Sequence, residues 1–279
     1  MNTEANTIDE TYFTEWNKFI SPDEAYDKIK QHWVNWANTV GAKKFVLGIS
    51  GGKDSTVVAY LAVKIFGKEN VIGIMMPNGV QSDISDSKHV IDNLGIQSYE
   101  INIANGYNGI VKSMLENGVA ISDTTIINLP CRLRMTTLYA MAQSLGAFVL
   151  NTSNLSEDMV GYATIWGDTC GDYAPIQGLT VTEILALGDY LGVPYNLCHK
   201  TPSDGLQDSC DEDRLGVKYS EIDEYIRNNN VTPENKDLID NLYRKNKFKL
   251  EAVHLSGPKF PELNNYILKR ISSIVTFNS

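Results

Sequence analysis

Residues 48–55 read GISGGKDS, set between the apolar run Phe45-Val46-Leu47 and the helix-prone stretch TVVAYLAVKIF. These residue types suit a phosphate group. Gly48 and Ile49 end the apolar run, and Gly51 and Gly52 let backbone N–H groups approach phosphate oxygens closely. The helix that follows offers free N–H groups and a positive dipole end. Ser50 and Ser55 add hydroxyls, Lys53 adds a cation, and Asp54 supplies a carboxylate oxygen of the kind Mg²⁺ takes. A plain strand-to-helix turn capped by Asp54 or Ser55 would use the same glycines. The register of Lys, Asp and Ser behind a buried strand favours the phosphate site over that turn. The loop has neither the four-residue gap and G-K-[ST] ending of a Walker A loop nor a G-x-G-x-x-G pattern.

Such a loop needs a strand behind it and a helix ahead of it, and the chain predicts both. KKFVLGI and NVIGIMM read as buried strands, with the helix STVVAYLAVKIFG between them. SDISDSKHVIDNLG reads as a helix and SYEINI as a short strand. A helix through GYNGIVKSMLENG follows, then a long one through LPCRLRMTTLYAMAQSLG that feeds the strand AFVLNT. Ahead of all these, SPDEAYDKIKQHWVNWANTV opens with Ser21-Pro22 and spaces Ala25, Ile29, Trp33, Trp36 and Val40 helically. The βα alternation with apolar strands predicts an α/β fold, a parallel sheet with helices on both faces. Beyond about residue 153 the strand signal fades into helices and loops. TPSDGLQDSCDEDRLGV reads there as a polar surface loop. Residues 1–20 are expected to form an N-terminal tail, and 21–279 a single domain.

Composition narrows the classes. The net charge of −10 argues against a nucleic-acid surface, which needs a basic stripe. A few local cations and N–H groups still suffice for a small anionic ligand. No apolar run approaches the ~20 residues that span a bilayer. The polar, acidic start MNTEANTIDETYF is not expected to be a signal or transit peptide. Cys131, Cys170, Cys198 and Cys210 are scattered, with no C-x-x-C pair, so reduced thiols of a cytoplasmic protein are expected and a zinc site is not.

The loop resembles the S-G-G-x-D-S signature of the ATP pyrophosphatase (PP-loop) superfamily, whose members cleave ATP between its α and β phosphates while the loop grips the departing pyrophosphate. Further blocks occur in the order seen in ammonia-dependent NAD synthetases: PNGVQSDISDSKHV, NLPCRLRM at a helix start, NTSNLSE, GYATIWGDTCGDYAPI, KTPSDGL, DEDRLGVKYSEIDEYI and NKFKLEAV. That resemblance covers about residues 20–255. It implies a homodimeric carbon–nitrogen ligase that uses ATP to adenylate the nicotinate carboxylate of deamido-NAD. Ammonia then displaces AMP and forms the amide of NAD. No domain of glutaminase size accompanies these blocks, so ammonia is expected free or from a separate supplier.

The resemblance also implies residue roles. Asp54 and Glu157 would be the Mg²⁺ ligands, although Glu157 on its position alone reads as a solvated helix residue. Gly48 to Ser55, Thr152 and Ser203 would bind ATP, with Asp54, Lys53 and Lys200 acting on its phosphates. Arg132, Asp172, Phe248 and Lys249 would contact deamido-NAD. Phe248 could equally belong to the core, Lys249 could be simply exposed, and Arg134 could serve as a salt-bridge partner. The chain departs from the family pattern at Ile165 and Val181, where lysine is common, at Pro130, where the usual NIKAR reads NLPCR, and at Met75, where some members have arginine. An adenylating amide ligase for a different carboxylic acid is therefore the alternative.

Overall fold

The inner strands are apolar at nearly every position, and such runs are stable only when both faces of the sheet are covered. In the computed structural model, which describes residues 18–81, 84–199 and 211–250, both faces are covered. β1 (Phe45–Gly48), β2 (Val71–Met75), β3 (Gln97–Glu100) and β4 (Phe148–Val149) form a parallel sheet in the order β3-β2-β1-β4. Val46 pairs with Ile72 on one side and Val149 on the other.

Successive side chains alternate between the two faces. Phe45 and Leu47 pack with Trp33 of α1 (Pro22–Val40), Val58 and Leu61 of α2 (Lys53–Phe66) and Val90 of α3 (Ile84–Leu94). Val46, Ile72 and Ile74 pack on the opposite face under Leu138 and Ala142 of α5 (Asp123–Leu145), beside which lies α4 (Ala104–Glu116). The rest of the chain adds α6 (Leu155–Val160), α7 (Val181–Leu191), α8 (Tyr195–Cys198), α9 (Asp211–Leu215), α10 (Tyr219–Asn228) and α11 (Pro233–Asn246). Ile184 and Leu187 join α7 to the main core. A second core gathers Val160, Val181, Ile222 and Ile239.

Some local readings shift. The buried stripe of α1 is Ala25, Tyr26, Trp33 and Ala37, while Val40 is exposed. α5 begins at Asp123, capped by Ser122, whose Oγ accepts the Thr125 N–H. NLPCRLRM therefore lies inside that helix, not at its start. The β-branched run Thr124-Thr125-Ile126-Ile127 hides the first turns, and Pro130 looks like a helix opener although it sits within the helix. The expected polar loop after residue 200 contains α9 at its end. Ile20 is buried and donates its N–H to Glu183, whereas residues 1–17 of the expected tail lie outside the described residues.

From β1 the chain steps outward to β2 and β3, then returns to place β4 on the other side of β1. The strand order reverses between β1 and β4, so a crevice opens beyond their carboxyl ends. GISGGKDS leaves β1 at that crevice.

Candidate active site

The loop's geometry requires its glycines. Gly51 has φ +80°, and a Cβ there would stand 2.8 Å from Asp86 Cβ and 3.0 Å from the Ser87 N. Gly52 is the N-cap of α2, and among the described residues no side chain caps that helix. Its first-turn N–H groups therefore face the crevice as an anion site. The serines brace this shape. The Ser50 N–H donates to Ser55 Oγ at 3.3 Å, the two hydroxyls lie 3.0 Å apart, and the Gly52 N–H donates to Ser50 Oγ at 3.2 Å. Lys53 Nζ lies 3.1 Å from Asp54 Oδ2.

The facing wall comes from β4 and α6. Asn154 caps α6 in a reciprocal box: its Oδ1 accepts the Glu157 N–H at 2.9 Å, and its own N–H donates to Glu157 Oε2 at 3.3 Å. The Asn154 Nδ2 donates across the crevice to Asp54 Oδ1 at 3.2 Å. Burial, and then the nearby Asp54 charge, hold the Glu157 carboxyl well above the usual carboxylate range, with Lys53 opposing them. The two carboxylates that line this cleft offer the hard oxygen ligands that suit a divalent cation, whose charge would offset their repulsion.

Asn151 and Asp168 set the floor. The Asp168 carbonyl accepts from Asn151 Nδ2 at 2.8 Å and Ser153 Oγ at 3.2 Å, and its Oδ1 accepts the Thr164 N–H at 2.6 Å. Burial raises the Asp168 carboxyl. The resulting cleft, about 360 Å³, brings together Gly48 to Ser55, Met75, Arg134, Thr152, Glu157 and Asp168. A second cavity of about 590 Å³ adjoins it, with Asp158, Trp166, Asp172, Tyr173 and Lys249 on its walls. Tyr139, Asn151 and Cys170 line both. A nucleotide in the first and an acceptor in the second would meet at those residues.

The expected acceptor residues distribute as follows. Asp172 Oδ2 accepts the Val149 N–H at 2.8 Å and its Oδ1 accepts the Tyr139 hydroxyl at 3.3 Å. Burial and then the Asp172 charge push Tyr139 up to about 12. Lys249 Nζ donates to the Gly161 and Ala163 carbonyls at 2.7 and 3.0 Å, and burial lowers its pKa. Phe248 is exposed. Arg132 Nε donates to the Ile165 carbonyl at 3.2 Å, and Arg132 does not line the first cleft. Lys200 and Ser203 lie outside the described residues. Of the departures, Met75 lines the cleft, Pro130 is buried in α5, and Val181 sits in the second core with its N–H on Ser156 Oγ at 3.1 Å.

Arg134, read from the sequence as a possible salt-bridge partner, and Asp168, not singled out there, line the cleft, while the buried Asn154, also not singled out, ties its two walls together. Arg132 and Arg134 are two positions apart on one helix, so they point in different directions, and only Arg134 meets the strand ends. The N-x-x-E spacing of Asn154 and Glu157 is a legible capping-box signal. Asp168 carries no local signal, because its partners come from the tertiary fold. Among the described residues, Cys131, Cys170 and Cys198 are free thiols, and no helix is long and apolar enough to cross a membrane.

The family model described as NAD synthase matches residues 25–253. The NH3-dependent NAD+ synthetase of Pyrococcus horikoshii is 43% identical over 203 residues, covering 72% of this chain and 77% of that protein. The solved NMN synthetase of Francisella tularensis superposes with a TM-score of 0.78 at 34% identity, covering 86% of this chain and 100% of that one. The NH3-dependent NAD synthetase of Campylobacter jejuni, solved with a nitrate ion, gives 0.67 at 26% identity, covering 86% and 99%. This chain belongs to the NAD synthase family.

Proposed function

We propose that the protein amidates deamido-NAD with ammonia at the expense of ATP, giving NAD, AMP and pyrophosphate. The observation that carries this reading is the pairing of Asp54 with Glu157 opposite the uncapped start of α2, in one cleft continuous with a second. The N–H groups of α2, Lys53 and Arg134 hold the phosphates. The acceptor carboxylate oxygen attacks the α phosphorus, the α–β bridging P–O bond breaks, and pyrophosphate leaves into the glycine loop. Ammonia then attacks the acyl carbon, AMP departs with the former carboxylate oxygen, and a proton is lost from nitrogen. Preorganised donors that meet charge as it develops give most of the acceleration in such transfers.

Asp54 and Glu157 would hold Mg²⁺, which supplies charge neutralisation on the phosphate oxygens. Thr152 completes the ATP site, with Ser203 and Lys200 approaching from beyond the described residues. Asp172, Arg132, Phe248 and Lys249 serve the acceptor side. The active form is a homodimer in the cytoplasm, its fold built from residues 21–279 and its ammonia free or delivered by a separate protein. Support for the dimer comes from Ile110, Leu115 and Val119, exposed on and just after α4, and from Ile126 and Ile127, exposed on α5.

A second reading takes nicotinate mononucleotide as the acceptor, making NMN. It is favoured by the 34% identity and full-length match to the Francisella NMN synthetase. Incubation with ATP, Mg²⁺, ammonium and each acid separately distinguishes them. The first reading expects AMP and NAD from deamido-NAD with the higher kcat/KM; no AMP with deamido-NAD would overturn it.

A further inference from the structure

Resting on that adenylating reading, we infer that Asn154 is a positioning residue that fixes the spacing between Asp54 and Glu157 before a cation arrives. It is fully buried, and three hydrogen bonds occupy its side chain and backbone N–H. The orientation of its amide follows from its partners. The Glu157 N–H can only donate, so the atom facing it is Oδ1, and the NH₂ is left for the carboxylate of Asp54. That last bond crosses 100 residues of sequence and ties the first turn of α6 to the first turn of α2.

The arrangement exceeds what a helix cap needs. Serine or threonine caps a helix as well through one oxygen. A hydroxyl can accept and donate only from one oxygen, whereas the amide places its acceptor on the Glu157 N–H and its donor, a separate atom, on Asp54. Lys53 would remain as a partner for Asp54, on the other oxygen. Groups that orient metal ligands in this way commonly change metal affinity by about 10–100-fold when removed.

Asn154→Ser separates the two roles, because it keeps the cap oxygen and removes Nδ2, the atom that reaches Asp54. Asn154→Ala deletes both. Mn²⁺ binding in the presence of α,β-methylene-ATP, followed by the electron paramagnetic resonance of free Mn²⁺, reads the site without turnover. We expect Asn154→Ser to melt near the wild-type temperature yet bind Mn²⁺ about 10–100-fold more weakly, matching Asn154→Ala in affinity. The Mg²⁺ concentration for half-maximal AMP formation should rise in parallel. Wild-type Mn²⁺ affinity in a folded Asn154→Ser would overturn the role of Asn154 while leaving the adenylation reading intact. If Asn154→Ser does not fold, Asn154→Thr is read by the same criterion. Failure of the wild-type protein to bind Mn²⁺ with the nucleotide would overturn the metal assignment and the role of Asn154 together.

Discussion

Arg134 Nε donates to the Met76 carbonyl at 3.1 Å, which pins the guanidinium of α5 at the carboxyl end of β2. Arg132, two residues earlier, donates instead to Ile165. One helix thus sends Arg134 into the cleft of the glycine loop and Arg132 away from it, onto the Ile165 carbonyl.

Arg134→Ala should raise the KM for ATP on the order of 10–100-fold, the equivalent of a ~1.5–3 kcal/mol charged hydrogen bond. Arg132→Ala should leave the KM for ATP near wild type and raise that of the acceptor. Steady-state kinetics with each substrate varied in turn checks the split. Equal effects of both variants on ATP would contradict the assignment.

Asp54→Asn and Glu157→Gln should each cut AMP formation by more than the roughly 10–100-fold typical of losing an outer partner of a metal. Glutamine at position 157 keeps the capping box, so the fold should survive. Circular dichroism checks the fold and AMP release checks the activity. An active Glu157→Gln would remove Glu157 from the chemistry.

Stability depends on a different carboxylate. Glu183 and Arg227 form a buried pair, with Arg227 Nε 2.8 Å from Oε1 and Nη2 2.6 Å from Oε2, and Glu183 also accepts the Ile20 N–H. Arg227→Met leaves that charge without its partner and should cost about 3–5 kcal/mol. Urea unfolding measures this; a loss under about 1 kcal/mol would mean that water reaches Glu183.

Asp223 gives a pH signature. It accepts hydrogen bonds from Ser156 Oγ, Thr182 Oγ1 and the Thr182 N–H, yet burial outweighs them and raises its pKa above the ordinary 3.8. The folded state then holds a proton that the unfolded state has released, so stability falls as pH rises through the raised value. Asp223→Asn lacks this dependence. The stability advantage of the wild type over Asp223→Asn should therefore shrink from about pH 4 toward neutrality, as thermal melts at both ends would show.

The glycine loop and the parallel sheet were legible because each has a local cause, adjacent glycines and unbroken apolar strands; Glu157 was reached only through motif blocks in order, since its own position reads as a solvated helix residue. Asn154 left a local trace in its spacing to Glu157, but its bond to Asp54 exists only once α2 and α6 meet. Arg134 was hidden because choosing between two arginines needs the phase of α5, whose true start at Asp123 is masked by β-branched residues. Val181 departs from the lysine common in the family, and the fold turns it into the second core.

The central claim is attack by a carboxylate oxygen on the α phosphorus in the cleft that Asp54 and Glu157 share. It is tested most directly with deamido-NAD labelled with ¹⁸O in its nicotinate carboxylate, turned over with ATP, Mg²⁺ and ammonium, and analysed by mass spectrometry of the products. One ¹⁸O per AMP, with none in pyrophosphate, is the predicted result. Unlabelled AMP, or label in pyrophosphate or orthophosphate, would contradict it.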